Sequence, residues 1–311
     1  MTRSQQSGGE SESVLPKLTQ FEQRFTSQLR LHLTLVIALF VLSLPVLFAV
    51  LMSTQPAYRI VQTTLVGVGA DGISNYIKAL TVHNFDTYLI NSFVMAIAIG
   101  IGKVVLALLA SMALVYYKLP FKRLILLLIL FTLALPVPVR IVPMYELMLA
   151  GNRWQLIIDT SFYRLAFDPK FVNTYAGLIL PYLASATSIL LLRQHFKSIS
   201  DSLVEQAKLD GVGPLRFLVF VLIPMSKSMI AGLFAIAFIW GWNQYLWPLL
   251  IINDQQTKGV IQTGLAQLSP QAGKPLWGII MAGAVMTLIV PLALMIILRN
   301  PMLKTISMQQ K

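Results

Sequence analysis

The chain contains no cysteine. That absence excludes a disulfide framework, a thiolate metal site and a cysteine nucleophile, and it leaves the redox compartment unreadable from cysteine usage. Charge is scarce too: Asp, Glu, Lys and Arg make up only 12% of the residues, about half the share of an ordinary soluble domain. The three histidines, His32, His83 and His195, stand singly with no further ligand at metal-binding spacing, so no metal site is indicated. No nucleophile elbow or carboxylate pair is present, so no catalytic residues are assigned and an enzyme is not expected. One stretch imitates a phosphate-binding loop: "GIGKVV" carries Gly102-Lys103. Val104, however, stands where Ser or Thr is required, and Ile97 where the first Gly is required. The chain is therefore expected to bind no ATP and to need no cofactor of its own.

Apolar residues are plentiful, at 56% with a mean hydropathy of +0.73. A helix needs about 20 apolar residues to cross a hydrocarbon core of about 30 Å. Runs of that length recur, and they predict an all-α integral membrane protein with six transmembrane helices, at about 31–52, 88–117, 121–149, 174–192, 215–252 and 277–298. The first is too long for a signal-peptide core and lacks a basic region at the chain start, so it reads as a retained anchor. The third is interrupted by "LPVPVRIVP", where Pro136, Pro138 and Pro143 withdraw backbone donors and must bend or break it. Residues 1–30 read as a polar, mobile or surface-lying tail, 31–300 as one transmembrane domain and 301–311 as a short C-terminal tail.

The net charge of +12 is better explained by topology than by nucleic acid. Fifteen of the 24 Lys and Arg residues fall on the side that holds both termini, seven on the other, and two, Lys103 and Arg140, inside spans. The positive-inside rule then places both termini in the cytoplasm.

The same rule makes "SDSLVEQAKLDGVGPLRFLVFVLIP", residues Ser200 to Pro224, a cytoplasmic segment between spans four and five. Ser202 followed by Glu205 reads as a capping box that starts a short helix, and Gly211 and Gly213-Pro214 stop it within about three turns. Leu203, Val204 and Ala207 form a small apolar strip flanked by Glu205, Lys208 and Asp210. Such a strip is too short to span a membrane. It suits either the membrane surface or a groove on another protein.

The segment also resembles the EAA loop of ABC-importer permeases, with Glu205-Gln206-Ala207, three residues, Gly211, nine residues, then Val221-Leu-Ile-Pro224. The spacing is kept in full, while Gln206, Val221 and Ile223 depart mildly from the pattern. The resemblance extends over roughly Asn91 to Leu298, through "NSFVMAIAIG", "GLILPYLASATSILLLRQHF" and "FIWGWNQYLWPLLI", and lies with the smaller permease of the carbohydrate-uptake branch. Within that branch it leans toward permeases for sn-glycerol-3-phosphate. It implies a coupling helix seated on a cytoplasmic ATPase, with Leu203, Glu205, Ala207, Asp210, Gly211 and Pro224 as coupling residues. It further implies a bacterial inner membrane, a second permease subunit, two ATPase subunits that hold the ATP-Mg, and a periplasmic or lipid-anchored solute-binding protein. The implied cargo is glycerol-3-phosphate or a related sugar or polyol, with a neutral sugar or another organophosphate as the alternative.

Two groups of residues invite a role in the solute pathway. Arg140, in the proline-broken third span with Glu146 six residues on, suits a phosphate through its planar fork of donors, or else snorkels or pairs with Glu146. Trp242, Asn243, Gln244 and Trp247 combine rings that stack on polyol C–H faces with amides that bond hydroxyls, or else belong to an interfacial aromatic belt. An ion-driven secondary transporter would need intramembrane acids, for which only Glu146 qualifies. A scaffold without transport would need neither a broken span nor a docking helix.

Overall fold

The computed structural model describes residues 11–56, 67–149, 171–268 and 276–308. The first ten residues of the expected tail, the expected connection over 150–170 and the last three residues lie outside these. Among the described residues every regular element is helical. Helix α1 (Ser11–Ser53) starts well before Leu31, so the polar segment from Ser11 to Arg30 is a helical extension of the first span where a loose tail was expected. Its Leu, Lys, Gln, Glu and Arg are good helix formers, and they continue a helix the apolar run has already nucleated. Helix α2 (Gly72–Thr81) is tied to the end of α1 by the buried Asn75, whose Nδ2 donates to the carbonyls of Ser53 (2.9 Å) and Gln55 (2.7 Å).

Helix α3 (Phe85–Tyr116) is the spine, packed mainly against α7 (Ala186–Lys197) and α11 (Lys227–Trp242). Small residues bring α3 and α11 together. A Cβ at Gly241 would stand 3.1 Å from the Ala96 backbone, a spacing only small side chains allow in a membrane bundle.

Three helices, Gln28–Ser53, Phe85–Tyr116 and Trp277–Met302, are long and apolar enough to cross a membrane alone, and three bent pairs raise the total to six. In the first pair, α4 (Lys122–Ala134) and α5 (Val137–Leu149) meet at 104°. Pro136 forces the break: Leu135 before it is extended, at ψ 116°, as a residue preceding proline prefers. Pro138 falls in the first turn of α5, where a missing donor is tolerated, and Pro143 lies within that helix. The second pair, α6 (Tyr175–Ile179) with its tight turn Leu180–Tyr182 and then α7, bends by 46°.

The expected single fifth span, 215–252, is corrected to separate pieces. After the short α8 (Asp201–Leu209) come α9 (Pro214–Phe217), a wide π-turn over Leu218–Leu222 and α10 (Ile223–Met225), then an 85° bend at Ser226 into α11. Pro224 has no N–H for the preceding turn, and widening that turn accommodates its ring. Helix α11 stops at Trp242 and α12 (Leu246–Ile251) follows, because Pro248 cannot bond back to residue 244 and its ring would crowd that carbonyl. Helices α13 (Gln255–Lys258), α14 (Ile261–Leu268) and α15 (Trp277–Met308) complete the chain.

The pieces alternate in direction. At one end Asn91, Tyr175 and the 257–259 backbone are joined by hydrogen bonds. At the other, the Tyr116 hydroxyl donates to the Phe196 carbonyl (2.9 Å) and Ser228 Oγ to the Met302 carbonyl (3.3 Å). That second end carries α8.

Candidate functional site

Helix α8 is built to be short. It begins at Asp201, one residue before the expected cap. Ser202 lies in its first turn with Oγ 2.6 Å from Ser200 Oγ, so the expected Ser202–Glu205 capping box is not what starts it. Its end is as the glycine predicts. Gly211 adopts φ +66°, Asp210 N donates to the Gln206 carbonyl (3.0 Å), and Val212 N reaches back five residues to the Ala207 carbonyl (3.1 Å). This is a Schellman-type stop, with the hydrophobic contact it usually carries between Val212 and the Ala207 region. No atom lies within 4 Å of a Cβ built at Gly211. The requirement for glycine there is conformational.

The expected apolar strip is divided. Val204 and Ala207 turn inward onto a core that includes Met112, Phe196, Phe217 and Leu222, and they hold the helix to its own bundle. Burying a valine contributes about 1.5–3 kcal/mol, enough to seat a two-turn helix that would not be stable alone. Leu203 (40% exposed), Leu209 (87% exposed), Glu205, Gln206 and Asp210 face outward. Beside the helix a cavity of about 240 Å³ opens between Tyr116, Val204, Ala207, Val212 and Phe217. Helix α8 thus offers a mixed apolar and acidic outer face, fixed by its inner face to the pieces that lead through Pro224 and Ser226 into α11. Pro224 itself is exposed.

The interior holds a second constellation. Tyr182 meets the ring of Trp240 edge-on at 4.7 Å and that of Trp247 at 6.1 Å. Met144, Tyr145 and Met148 of α5 pack against this cluster. Arg140, exposed, precedes Met144 by one turn and Met148 by two, so it shares their face. Glu146, also exposed, sits about 120° around the helix from Arg140 and does not pair with it.

Over the ring of Trp240 lies Lys103, 9% exposed, its Nζ 3.7 Å from the ring centroid. Among the described residues Lys103 has no carboxylate or hydrogen-bond partner. A cation at mid-membrane costs about 2.5–3.5 kcal/mol on insertion scales. A desolvated cation–π contact returns about 2 kcal/mol. The sequence marked Lys103 as an intramembrane charge, but nothing in the spacing of 103 and 240 signals that they meet.

The pathway residues proposed from "GWNQYLWPLL" fare differently from one another. Trp242 is 1% exposed, stacks on Phe238 and donates from Nε1 to the Thr287 carbonyl (3.2 Å). Trp247 is 1% exposed and donates to the Gly177 carbonyl (3.0 Å). Neither ring has a free face for a solute, because both fill the core where α11 and α12 meet their neighbours. Asn243 is exposed; its amide bonds its own Ile239 carbonyl (3.0 Å) and its Oδ1 accepts from Gln262 Nε2 (3.3 Å). Gln244, half-buried, closes the end of α11 through its backbone N–H to the Gly241 carbonyl (3.2 Å).

A polar knot at the end opposite α8 escaped sequence reasoning. Asn91, buried near the start of α3, donates to the carbonyls of Thr257 (3.0 Å) and Gly259 (2.9 Å) and accepts from the Tyr175 hydroxyl (2.5 Å). Ser92 Oγ accepts from Ile261 N (2.7 Å), and Lys258 Nζ donates to the Asn173 carbonyl (2.8 Å). The only sequence signal was an Asn-Ser pair at the mouth of an apolar run. Nearby, Asp254 caps α13: its carboxylate accepts from the Thr257 hydroxyl and N–H, and these bonds hold its pKa below the usual carboxylate value.

Residues 103–301 match the family described as the binding-protein-dependent transport system inner membrane component. The chain belongs to that family. Relatives cover almost its whole length. The sn-glycerol-3-phosphate transport system permease protein UgpE of Rhizobium meliloti is 35% identical over 289 residues, spanning 90% of this chain and 95% of its own. Its namesake from Agrobacterium fabrum has the same identity and coverage. The one from Salmonella typhi is 34% identical over 283 residues, 86% of this chain and 92% of its own. The fold is also that of a solved bacterial ABC transporter involved in the import of the acidic polysaccharide alginate, with a TM-score of 0.69 over 96% of this chain and 99% of that one at 18% identity. As an inner membrane component of binding-protein-dependent transport, this all-helical, multi-pass chain is a transport subunit and not an enzyme.

Proposed function

We propose that this permease carries sn-glycerol-3-phosphate or a related organophosphate across a bacterial inner membrane, as one of two permease subunits seated on two cytoplasmic ATPase subunits. The observation that carries the cargo reading is 35% identity, over nine-tenths of the chain, to permeases named for that solute. Arg140 supports it as a guanidinium on the face of α5 that turns toward the aromatic cluster, with no carboxylate to neutralise it among the described residues. The neutral-sugar reading is weakened because Trp242 and Trp247 are committed to the core.

In this reading α8 is the coupling helix, and its residues divide the labour. Leu203, Glu205 and Asp210 present the surface that meets the ATPase. Ala207 anchors the helix to the bundle, Gly211 ends it, and Pro224 sets the joint through which movement reaches α11. ATP-Mg stays on the partner ATPase subunits, and solute arrives from an external binding protein. The α8 end and both termini face the cytoplasm, in keeping with fifteen of the 24 basic residues on that side.

The test is uptake by proteoliposomes holding the whole transporter with its binding protein. ATP-driven accumulation of radiolabelled sn-glycerol-3-phosphate is expected, suppressed by excess unlabelled organophosphate and unaffected by excess neutral disaccharide. Accumulation of a neutral sugar with no organophosphate uptake would replace the cargo reading with its alternative.

A further inference from the structure

Among the described residues Lys103 is a buried cation that neither the fold nor the coupling route explains. It sits about 4 Å from the midpoint of α3, more than 15 Å along the helix from either end by the rise of roughly 1.5 Å per residue. A lysine stem cannot snorkel that far. The charge therefore stays inside, against Trp240 and with no other partner among the described residues, its insertion cost only partly offset. Trp240 in turn touches Tyr182, and α5 packs against the same cluster through Met144 and Met148, on the face that carries Arg140. Lys103 on α3 and Arg140 on α5 thus both turn toward one Trp–Tyr cluster, and among the described residues neither has an acidic partner. Two unneutralised cations turned toward one aromatic cluster suit an anion of matching valence, and a phosphate monoester, at about −1.5 to −2 near neutral pH, supplies it.

Resting on the cargo reading above, we infer that Lys103 and Arg140, held by Trp240 and Tyr182, form the two-cation site that binds the phosphate monoester of the solute inside the membrane. Trp240 positions the ammonium in the unloaded permease, and the phosphate oxygens draw it off the ring when solute arrives. The arrangement selects for double charge, because a monoanion or a neutral solute leaves at least one of the two cations unmatched.

The experiment is equilibrium binding of radiolabelled sn-glycerol-3-phosphate to the assembled transporter in nanodiscs, without binding protein, comparing wild type with Lys103→Gln and Lys103→Arg. Tenfold or greater weakening is expected for Lys103→Gln, and binding within about threefold of wild type for Lys103→Arg, since arginine keeps the charge and the phosphate donors. Should Lys103→Gln fail to co-purify with the complex, Lys103→Met keeps volume and apolar packing and carries the same expectation. Unweakened binding by the neutral variant overturns the inference, and so does equal weakening by the glutamine and arginine variants, which marks a packing role. A wild-type complex that imports only neutral solutes overturns the cargo reading and this site with it. One that imports sn-glycerol-3-phosphate while Lys103→Gln binds as wild type overturns this site alone.

Discussion

At the scale of single residues, Gly211 shows how one backbone angle sets where an element ends. Its φ of +66° would strain a β-branched side chain by about 1–2 kcal/mol, although nothing nearby would collide with one. Gly211→Val should therefore leave the membrane bundle assembled, break the turn that ends α8, and cut ATP-driven uptake several-fold. Gly213→Ala, at a φ of −65°, should leave uptake unchanged. Uptake and ATP hydrolysis measured on the two variants check both. Arg140 and Glu146 make a second pair to compare. They lie six residues apart and are both exposed, yet only Arg140 shares a face with Met144 and Met148. Arg140→Gln should lower organophosphate uptake about tenfold or more, and Glu146→Gln by less than about twofold, in the same transport assay. Proximity in sequence suggested pairing; helical phase forbids it.

Among the elements, the third and fifth spans are jointed by proline. At Pro136 the joint is a clean break, because the residue before a proline leaves the helical region. At Pro224 the chain stays helical by widening into a π-turn before the 85° bend at Ser226. Restoring the missing donor with Pro224→Ala should let the turn close toward an ordinary helix and reduce that bend. Spin labels on α8 and α11 would report the change as an altered distance, accompanied by slower uptake. The opposite end is fastened by hydrogen bonds, and one fastening is sensitive to pH. Asp254 has its folded pKa lowered by bonds from Thr257, so its stabilisation is present above the ordinary carboxylate pKa of about 4 and is lost as pH falls through the lowered value. Exchange of the Thr257 amide should stay slow at neutral pH and quicken only on acidification, whereas Asp254→Asn should exchange faster at neutral pH already.

For the whole molecule, alternating helix direction places α8, the start of α11 and the end of α15 at one end, and the Asn91 knot at the other. Since the chain has no cysteine, topology is directly testable by single introduced thiols. Leu209→Cys, at a position 87% exposed, should react with an impermeant maleimide only from the cytoplasmic side. Asn253→Cys should react only from the outside. Reversed labelling would invert the assignment of α8 to the ATPase side.

The sequence by itself determined the class, the approximate spans and the short helix between spans four and five. Long apolar runs have one solution in lipid, and a glycine that ends a helix leaves its mark in a few adjacent residues. It also showed that two cations lie within spans. Tertiary structure decided where those charges meet, that Trp242 and Trp247 are core and Trp240 is not, and that Val204 and Ala207 face inward while Leu203 and Leu209 face out. The reason is physical. Helical periodicity fixes which residues share a face, but only packing between helices distant in sequence fixes what that face touches, and the contacts Lys103–Trp240 and Asn91–Thr257 join residues more than a hundred positions apart.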